Sequence, residues 1–533
     1  MGGVQIQNRW RSHYLFAITL FLFFPLLASL AAPIYQWETL GGNPSHNGYY
    51  PIIGRNDINN FTLQAVKLPG GGNVYPQPSA YDIDGDGTME IIISSDPYYL
   101  NCVSSSGTII WSKQFPNIIS TSATIYDLNK DGRVEIIIGC WDGRIYTLNH
   151  KGVILWTFFI GSYYNLGSGH IQSSPAVDDI DRDGEPEIVF GSDVDILYCL
   201  DSSGRLEWSI NLQETSLPLG ITSTPTLYDV NNDGLKEIIV GSDYRYLYTI
   251  HLVARDEGGV NELKPEILWR FATQSETLAI TCAPLVIDLD VDSDPEIIFG
   301  TKDGCVYCLS SMGDIEWSYQ TDGPIHNTCS IADVDNDDSL NVVIGSYDKS
   351  IYIFNNKGDL LTRIQAVEKV FSQIILCDLD GDGDLNLITS TQMQNSDNAI
   401  YILDSDGTNV HALYFQDQLP GNDQKVINPI VCDLNNDGFI EIIVGTNEGY
   451  LLLFSDANSI RPVSEEPRSW IDTYAPFLYT IIIILCCFVI IMPVRIHIKN
   501  TSIYKDNQGN TSSIKNTNGR ISSHRKGRYK RIR

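Results

Sequence analysis

Basic residues are scarce in this chain except at its two ends. Of 35 lysines and arginines, eleven fall in the last 39 residues beside a single acid, Asp506, and two more, Arg9 and Arg11, stand near the start. Taking +10 for the tail and +2 for the head from the formal total of −30 leaves −42 on residues 32–494. A body that acidic excludes nucleic-acid binding by phosphate neutralisation, and it suits divalent cations. HExxH, Gly-x-Ser-x-Gly and P-loop motifs are missing too. His170, His251, His326 and His411 fall at unrelated positions, so no catalytic constellation emerges.

Long apolar runs are equally few, and there are two. The first, Tyr14 to Leu27, follows the two arginines and ends in Ala28-Ser-Leu-Ala-Ala-Pro33. This is the layout of a secretory signal peptide with cleavage expected after Ala31; an uncleaved anchor is the alternative. The second, Phe477 to Val494, is 18 residues without a charge, long enough to cross a bilayer as a helix. The basic tail after it belongs on the cytoplasmic side. A buried core helix would leave that basic flank a coincidence. The expected layout is a signal peptide (1–31), a head segment (32–60), a body (61–455), a Pro- and Glu-containing stalk (456–474), a transmembrane helix (475–494) and a basic tail (495–533). Asn60-Phe-Thr62 is a glycosylation sequon on the non-cytoplasmic side.

Cysteine offers no disulfide framework. Outside the second apolar run, which holds Cys486 and Cys487, nine remain, an odd number. Cys102, Cys199 and Cys308 share one repeat register in units that do not touch. Most are expected as buried free thiols, with one or two disulfides left open.

What fills the body is a repeat. Eight times between Asp82 and Glu441, oxygen-bearing side chains alternate and then lead, usually through a glycine and an acid or amide, into a β-branched run. The clearest copy is Asp82-Ile-Asp84-Gly-Asp86-Gly-Thr-Met-Glu90; the others start at Asp127, Asp179, Asp229, Asp288, Asp333, Asp378 and Asp433, 45 to 59 residues apart. That interval suits propeller blades. The second unit, Thr121 to Trp156, reads as four short strands joined by the acidic loop and by Asp-Gly and Lys-Gly turns, with nothing helical in it. Such a sheet must bury both faces against its neighbours.

Trp111, Trp156, Trp208, Trp269 and Trp317 recur on the fourth strand, placed to wedge between sheets, while Thr362 and His411 stand near that place in units six and seven. The eighth unit lacks a fourth strand, and Phe61 to Lys67 lies where one is needed, so the N-terminal strand is expected to close the ring. The fold class is therefore all-β, an eight-bladed propeller of four-stranded antiparallel blades, with seven blades as the alternative, plus the one C-terminal transmembrane helix.

Alternate residues of a tight loop point at one centre, and calcium takes six to eight oxygens. The expected metal ligands are Asp82, Asp84, Asp86 and Glu90; Asp127, Asn129, Asp131 and Glu135; Asp179, Asp181, Asp183 and Glu187; Asp229, Asn231, Asp233 and Glu237; Asp288, Asp290, Asp292 and Glu296; Asp378, Asp380 and Asp382; Asp433, Asn435, Asp437 and Glu441. Copy five has Ser293 for the glycine; copy six has Asp338 there and Asn341 at the end; copy seven ends in Asn386. Copies six and seven should bind more weakly. The alternative is a set of Asx turns that hold without metal. An EF-hand is excluded, because its twelfth-position glutamate is replaced by residues such as Ile93, Phe190 and Val444.

Asp-x-Asp-x-Asp-Gly-x-x-Glu between two strands resembles the FG-GAP repeats of integrin alpha chains and related bacterial and plant surface proteins. Phe190-Gly191 and Phe299-Gly300 echo the Phe-Gly, and Ala283-Pro284 is what remains of the Gly-Ala-Pro. The likeness covers about Phe61 to Phe454. It implies calcium-stiffened blades and a role in adhesion or recognition of an extracellular or lumenal protein or glycan. The tryptophan register and the head Trp37-Glu-Thr-Leu-Gly-Gly-Asn-Pro-Ser-His46 also resemble eight-bladed quinoprotein propellers. That likeness implies a vicinal cysteine pair in the propeller, which this chain lacks, so an enzyme is not expected. An endomembrane scaffold or assembly factor is the other reading, with the basic Lys530-Arg-Ile-Arg533 faintly resembling a retrieval signal.

Overall fold

The fourth strands alternate exposed and half-buried residues, whereas the second strands are buried throughout, and this difference locates the core. In a computed structural model the described residues run from 49 to 459, apart from Tyr75 and stretches at 162–168, 214–218, 257–260, 275–278, 393–398, 416–417 and 421–424. The expected signal peptide, His46, the membrane span and the basic tail lie outside the described residues. Among those described, no helix is long and apolar enough to cross a membrane.

Eight sheets form the body. The first blade pairs Ser79–Tyr81, Glu90–Ser95, Tyr99–Val103 and Ile109–Gln114 as an antiparallel meander, and the next five repeat this order. First strands touch the first strands of neighbouring blades, which sets them around the axis. Ser79 Oγ donates to Ala123 O (2.6 Å), Thr124 Oγ1 to Pro175 O (2.6 Å) and Ser223 Oγ to Cys282 O (2.9 Å), so short hydroxyl side chains tie one blade to the next. Second strands such as Glu135–Cys140 are buried on both faces because a blade covers each side. The fourth strand Ile109–Gln114 alternates because only one of its faces is covered.

The tryptophan wedge is present. Trp111, Trp156, Trp269 and Trp317 lie against Gly152, Gly204, Gly313 and Gly358, each in the turn before the fourth strand of the following blade. A Cβ at Gly152 would sit 2.9 Å from the Trp111 ring, and its φ of +72° independently favours glycine. Trp208 meets no such turn, because the fourth blade continues into the long hairpin Tyr246–Asp256 and Asn261–Ala272; Leu252 and Leu263 cover the indole instead. Thr362 and His411 hold the tryptophan register of blades six and seven, opposite Ile353 and Ile402.

Closure follows the sequence expectation: Phe61–Lys67 pairs antiparallel with Tyr450–Asp456 and completes the eighth blade. One part of the head segment departs from its placement outside the ring. Tyr49–Ile53 runs parallel to Ile375–Asp378, adding a strand to the seventh blade. Its aromatic and β-branched residues suit a strand, and burial of Tyr50 holds it there. The nine described cysteines are all buried and free, so the disulfides left open do not form among them. Cys305 and Cys308 enter different core clusters, as expected of residues on opposite strand faces.

Candidate functional site

Each acidic loop joins the first and second strands of its blade, so all eight open on one face of the ring. The local fold is nearly identical in each. The position-one carboxylate accepts the backbone N–H groups of positions five and six: Asp82 from Asp86 and Gly87 (3.1 and 2.9 Å), Asp127 from Asp131 and Gly132, Asp229 from Asp233 and Gly234, Asp433 from Asp437 and Gly438. Position three then accepts from five, as Asp181 does from Asp183 (3.0 Å), and five from seven, as Asp292 does from Asp294 (2.8 Å). The final glutamate reaches back to the N–H of position two, Glu90 to Ile83 (3.1 Å) and Glu296 to Leu289 (2.7 Å). In five of the eight loops the carboxylates converge as well.

Carboxylate oxygens lie within 4.8 Å of one another in Asp82, Asp84 and Asp86; in Asp179, Asp181 and Glu187; in Asp288, Asp290 and Glu296; in Asp333, Asp335 and Asp337; and in Asp378, Asp380 and Asp382. The sixth copy, absent from the expected ligand set, thus gathers its carboxylates as copies one, three, five and seven do. Asn341 and Asn386 make the same backbone bond as the glutamates they replace, to Val334 (2.7 Å) and Leu379 (3.0 Å), because an amide oxygen accepts equally well. Ser293 and Asp338 take the left-handed backbone that glycine supplies elsewhere, with φ of +77° and +66°.

Copies two, four and eight carry asparagine at position three and use it differently. Asn129 and Asn231 donate their amides to Glu135 (3.1 Å) and Glu237 (2.7 Å). In the eighth loop, by contrast, Asn435 Oδ1, Asp437 Oδ2 and Glu441 Oε1 are all buried without a hydrogen-bond partner. Asp179 Oδ1 and Asp380 Oδ1 share that condition singly. Buried oxygens without donors are costly, and a hard cation is the group whose chemistry they fit.

The acidity of the loops leads to the same need. Burial raises Glu90 and Glu187 to about 8 and Glu237 and Glu296 to about 7, with neighbouring aspartates adding to Glu90 and loop backbone bonds opposing. Glu441 is pushed well up, chiefly by desolvation. Two residues that the loop pattern did not reveal join these clusters: Cys199 Sγ donates to Glu207 (3.8 Å) and Cys308 Sγ to Glu316 (4.0 Å), and each glutamate adds its charge to the third or fifth loop. The signal was available, since both occupy the place before the fourth-strand tryptophan where other blades have Ile110, Leu155 and Leu268.

The opposite face is different. His170 pairs with Asp193 (2.9 Å) and stacks on Trp141, while His326 stacks on Tyr347 at 4.4 Å. His251 and His411 sit in outer-blade strands. Asn60 is partly exposed and donates to Asp456 Oδ1 (3.3 Å), and Thr62 Oγ1 donates to Ser455 O.

Eight meander blades, sealed by the N-terminal strand and carrying acidic loops on one face, define an eight-bladed β-propeller with FG-GAP-like repeats. The FG-GAP-like repeat family matches residues 378–444, and the lambda-carrageenase β-propeller domain matches residues 102–163 and 267–374. No curated protein matches the chain in sequence. Among solved structures it is similar to quinohemoprotein alcohol dehydrogenases from Comamonas testosteroni (11% identity, 82% of this chain and 83% of that one, TM-score 0.58) and Pseudomonas putida (11%, 81% and 82%, TM-score 0.56). A europium-containing methanol dehydrogenase is similar at 12% identity, 77% and 89% coverage and TM-score 0.51. At such identities the likeness is one of fold.

Proposed function

We propose that the chain is a single-pass type I membrane protein whose propeller, outside the cell or in the secretory-pathway lumen, binds calcium in its acidic loops and recognises a protein or glycan. The observation that carries the metal reading is the eighth loop, where three oxygens of one nine-residue segment are buried without donors. Asp433, Asn435, Asp437 and Glu441 hold the ion there, and the corresponding residues serve the other loops. Bound calcium neutralises the clustered carboxylates and keeps each hairpin in one geometry. The match to the lambda-carrageenase propeller domain favours a glycan among the possible ligands. The dehydrogenase neighbours bring no catalytic reading with them, because the vicinal cysteine pair of the quinoprotein resemblance has no counterpart in the propeller. The membrane placement rests on the apolar run at 477–494 and its basic flank.

The test is thermal unfolding of the purified chain with calcium and with chelator. Occupancy of one site at a hundred times its Kd adds about 2.7 kcal/mol, so chelation lowers Tm by several degrees and calcium restores it. Superimposable curves with and without chelator would remove the calcium reading. Surface labelling of intact cells separates a plasma-membrane receptor from an endomembrane scaffold.

A further inference from the structure

At two of the seams between neighbouring acidic loops a backbone bond joins them: Met89 N–H donates to Leu434 O (2.8 Å), and Lys236 N–H to Ile180 O (2.9 Å). In both, position eight of one loop bonds to position two of the loop before it. Between the seventh and eighth loops, Asn56 bonds the two groups that such a bond would join. The Asn56 N–H takes the Leu379 carbonyl (3.2 Å), its Oδ1 accepts from Ile440 N–H (2.9 Å), and its Nδ2 donates to Ile440 O (2.8 Å). The flanking residues follow the same seam. Gly54 N–H donates to Asp378 O (2.8 Å), Asp433 N–H donates to Tyr50 Oη (3.2 Å), and Asp57 N–H donates to Asp456 Oδ2 (2.6 Å). A Cβ at Gly54 would run into the Leu379 carbonyl, so the strap lies as close to the loops as a backbone can.

The partner of Asn56 is the peptide next to Glu441, which is 2% exposed and whose Oε1 has no donor. Two more buried oxygens without donors, on Asn435 and Asp437, belong to the same loop. We propose that a calcium ion in the eighth loop latches residues 49–57 into the seam between the seventh and eighth blades, so that calcium controls attachment of the N-terminal strap. This rests on the calcium reading above. With the ion in place, Asn435, Asp437 and Glu441 are drawn to one centre and the backbone at Phe439–Ile440 is fixed, presenting both Ile440 groups to Asn56. Without it, these buried oxygens are left without partners and the peptide that Asn56 grips moves. The first loop has no strap beside it, and it bonds to the eighth at Leu434 rather than at the Ile440 peptide that Asn56 grips.

Hydrogen exchange of the full-length protein tests this, read at Gly54, Asn56 and Asp57 beside elemental analysis of bound calcium. Three proteins are compared: wild type, Asp437→Asn in the eighth loop and Asp86→Asn in the first. Chelation of the wild type speeds exchange at those amides by about tenfold or more, local opening being what these amides report. Asp437→Asn shows the fast exchange in calcium, whereas Asp86→Asn keeps wild-type protection there while losing bound calcium. Full protection of residues 54–57 after calcium has been stripped overturns the latch and leaves calcium binding intact. Equal loosening by Asp86→Asn overturns it as well. A chain that carries no calcium before chelation overturns both the latch and the reading beneath it.

Discussion

The first and eighth loops share one motif and the same backbone bonds to their first aspartate and final glutamate, yet they stand in different solvents. Around Gly85 and Gly87 a Cβ would meet nothing within 4 Å, and Asp84 and Asp86 are exposed. The eighth loop is roofed by Tyr50 and Asn56, and three of its oxygens are sealed from water. A repeated sequence thus fixes the geometry of a site, while the chain packed against it sets how much a missing ion costs. The greatest predicted loss follows from that contrast. Asn56→Ala leaves both the Ile440 N–H and its carbonyl buried without Asn56, at about 1–3 kcal/mol for each unsatisfied group, a total of about 2–6 kcal/mol. The same truncation at Asp84 costs less than about 1 kcal/mol in calcium-free buffer, as expected at an exposed loop position. Denaturant unfolding of both variants measures the difference, and equal losses would dissolve the contrast.

Two glycines sharpen it without touching a ligand. Gly85 and Gly381 both occupy position four, with φ of +80° and +78°. A methyl at residue 85 points into open space, whereas one at residue 381 would lie 2.7 Å from the Gly54 carbonyl oxygen of the strap. Gly85→Ala therefore carries backbone strain alone, about 1 kcal/mol, and Gly381→Ala adds the displacement of the strap, for about 2–3 kcal/mol in all. The excess of the second over the first, read as a shift in midpoint denaturant concentration, isolates the contact between strap and loop. Were the two shifts equal, the strap would not bear on the seventh loop.

The repeated part of the molecule was legible in the sequence, and the unrepeated part largely was not. Eight copies allow each position to be checked against seven others, so the blades, the tryptophan wedge at Trp111 and Trp156, and the strand Phe61–Lys67 that seals the ring all follow from register. Tyr49–Ile53 and Asn56 have no counterparts. Tyr49-Tyr-Pro-Ile-Ile53 carries a strand signal, but nothing local says that its partner lies more than 300 residues away. Glu207 and Glu316 lie outside the loop motif and stand out only when fourth strands are compared with one another. The reduced copies show a further limit: Asn341 and Asn386 look like losses of charge, yet the backbone bond of the glutamate survives in both.

The smallest predicted effect is on pH dependence, and it again separates the seam from the open loops. In calcium-free protein the loop glutamates titrate high in the folded state, Glu135 at about 6, Glu237 at about 7 and Glu90 at about 8, against about 4.3 in an unfolded chain. A carboxyl whose folded pKa is raised binds its proton more tightly in the folded state. The stability it contributes is therefore complete below about pH 4 and is lost as pH rises through 6 to 8. The calcium-free chain should melt progressively earlier between pH 5.5 and 8.5, whereas saturating calcium, which favours ionised ligands, flattens or reverses that slope. Glu441, driven higher by deeper burial, should dominate the upper end. Glu441→Gln then removes more of the alkaline slope than Glu135→Gln, because an amide keeps the backbone bond and has no proton to lose. Equal slopes in the two variants would mean that the strap leaves the eighth loop as wet as the second.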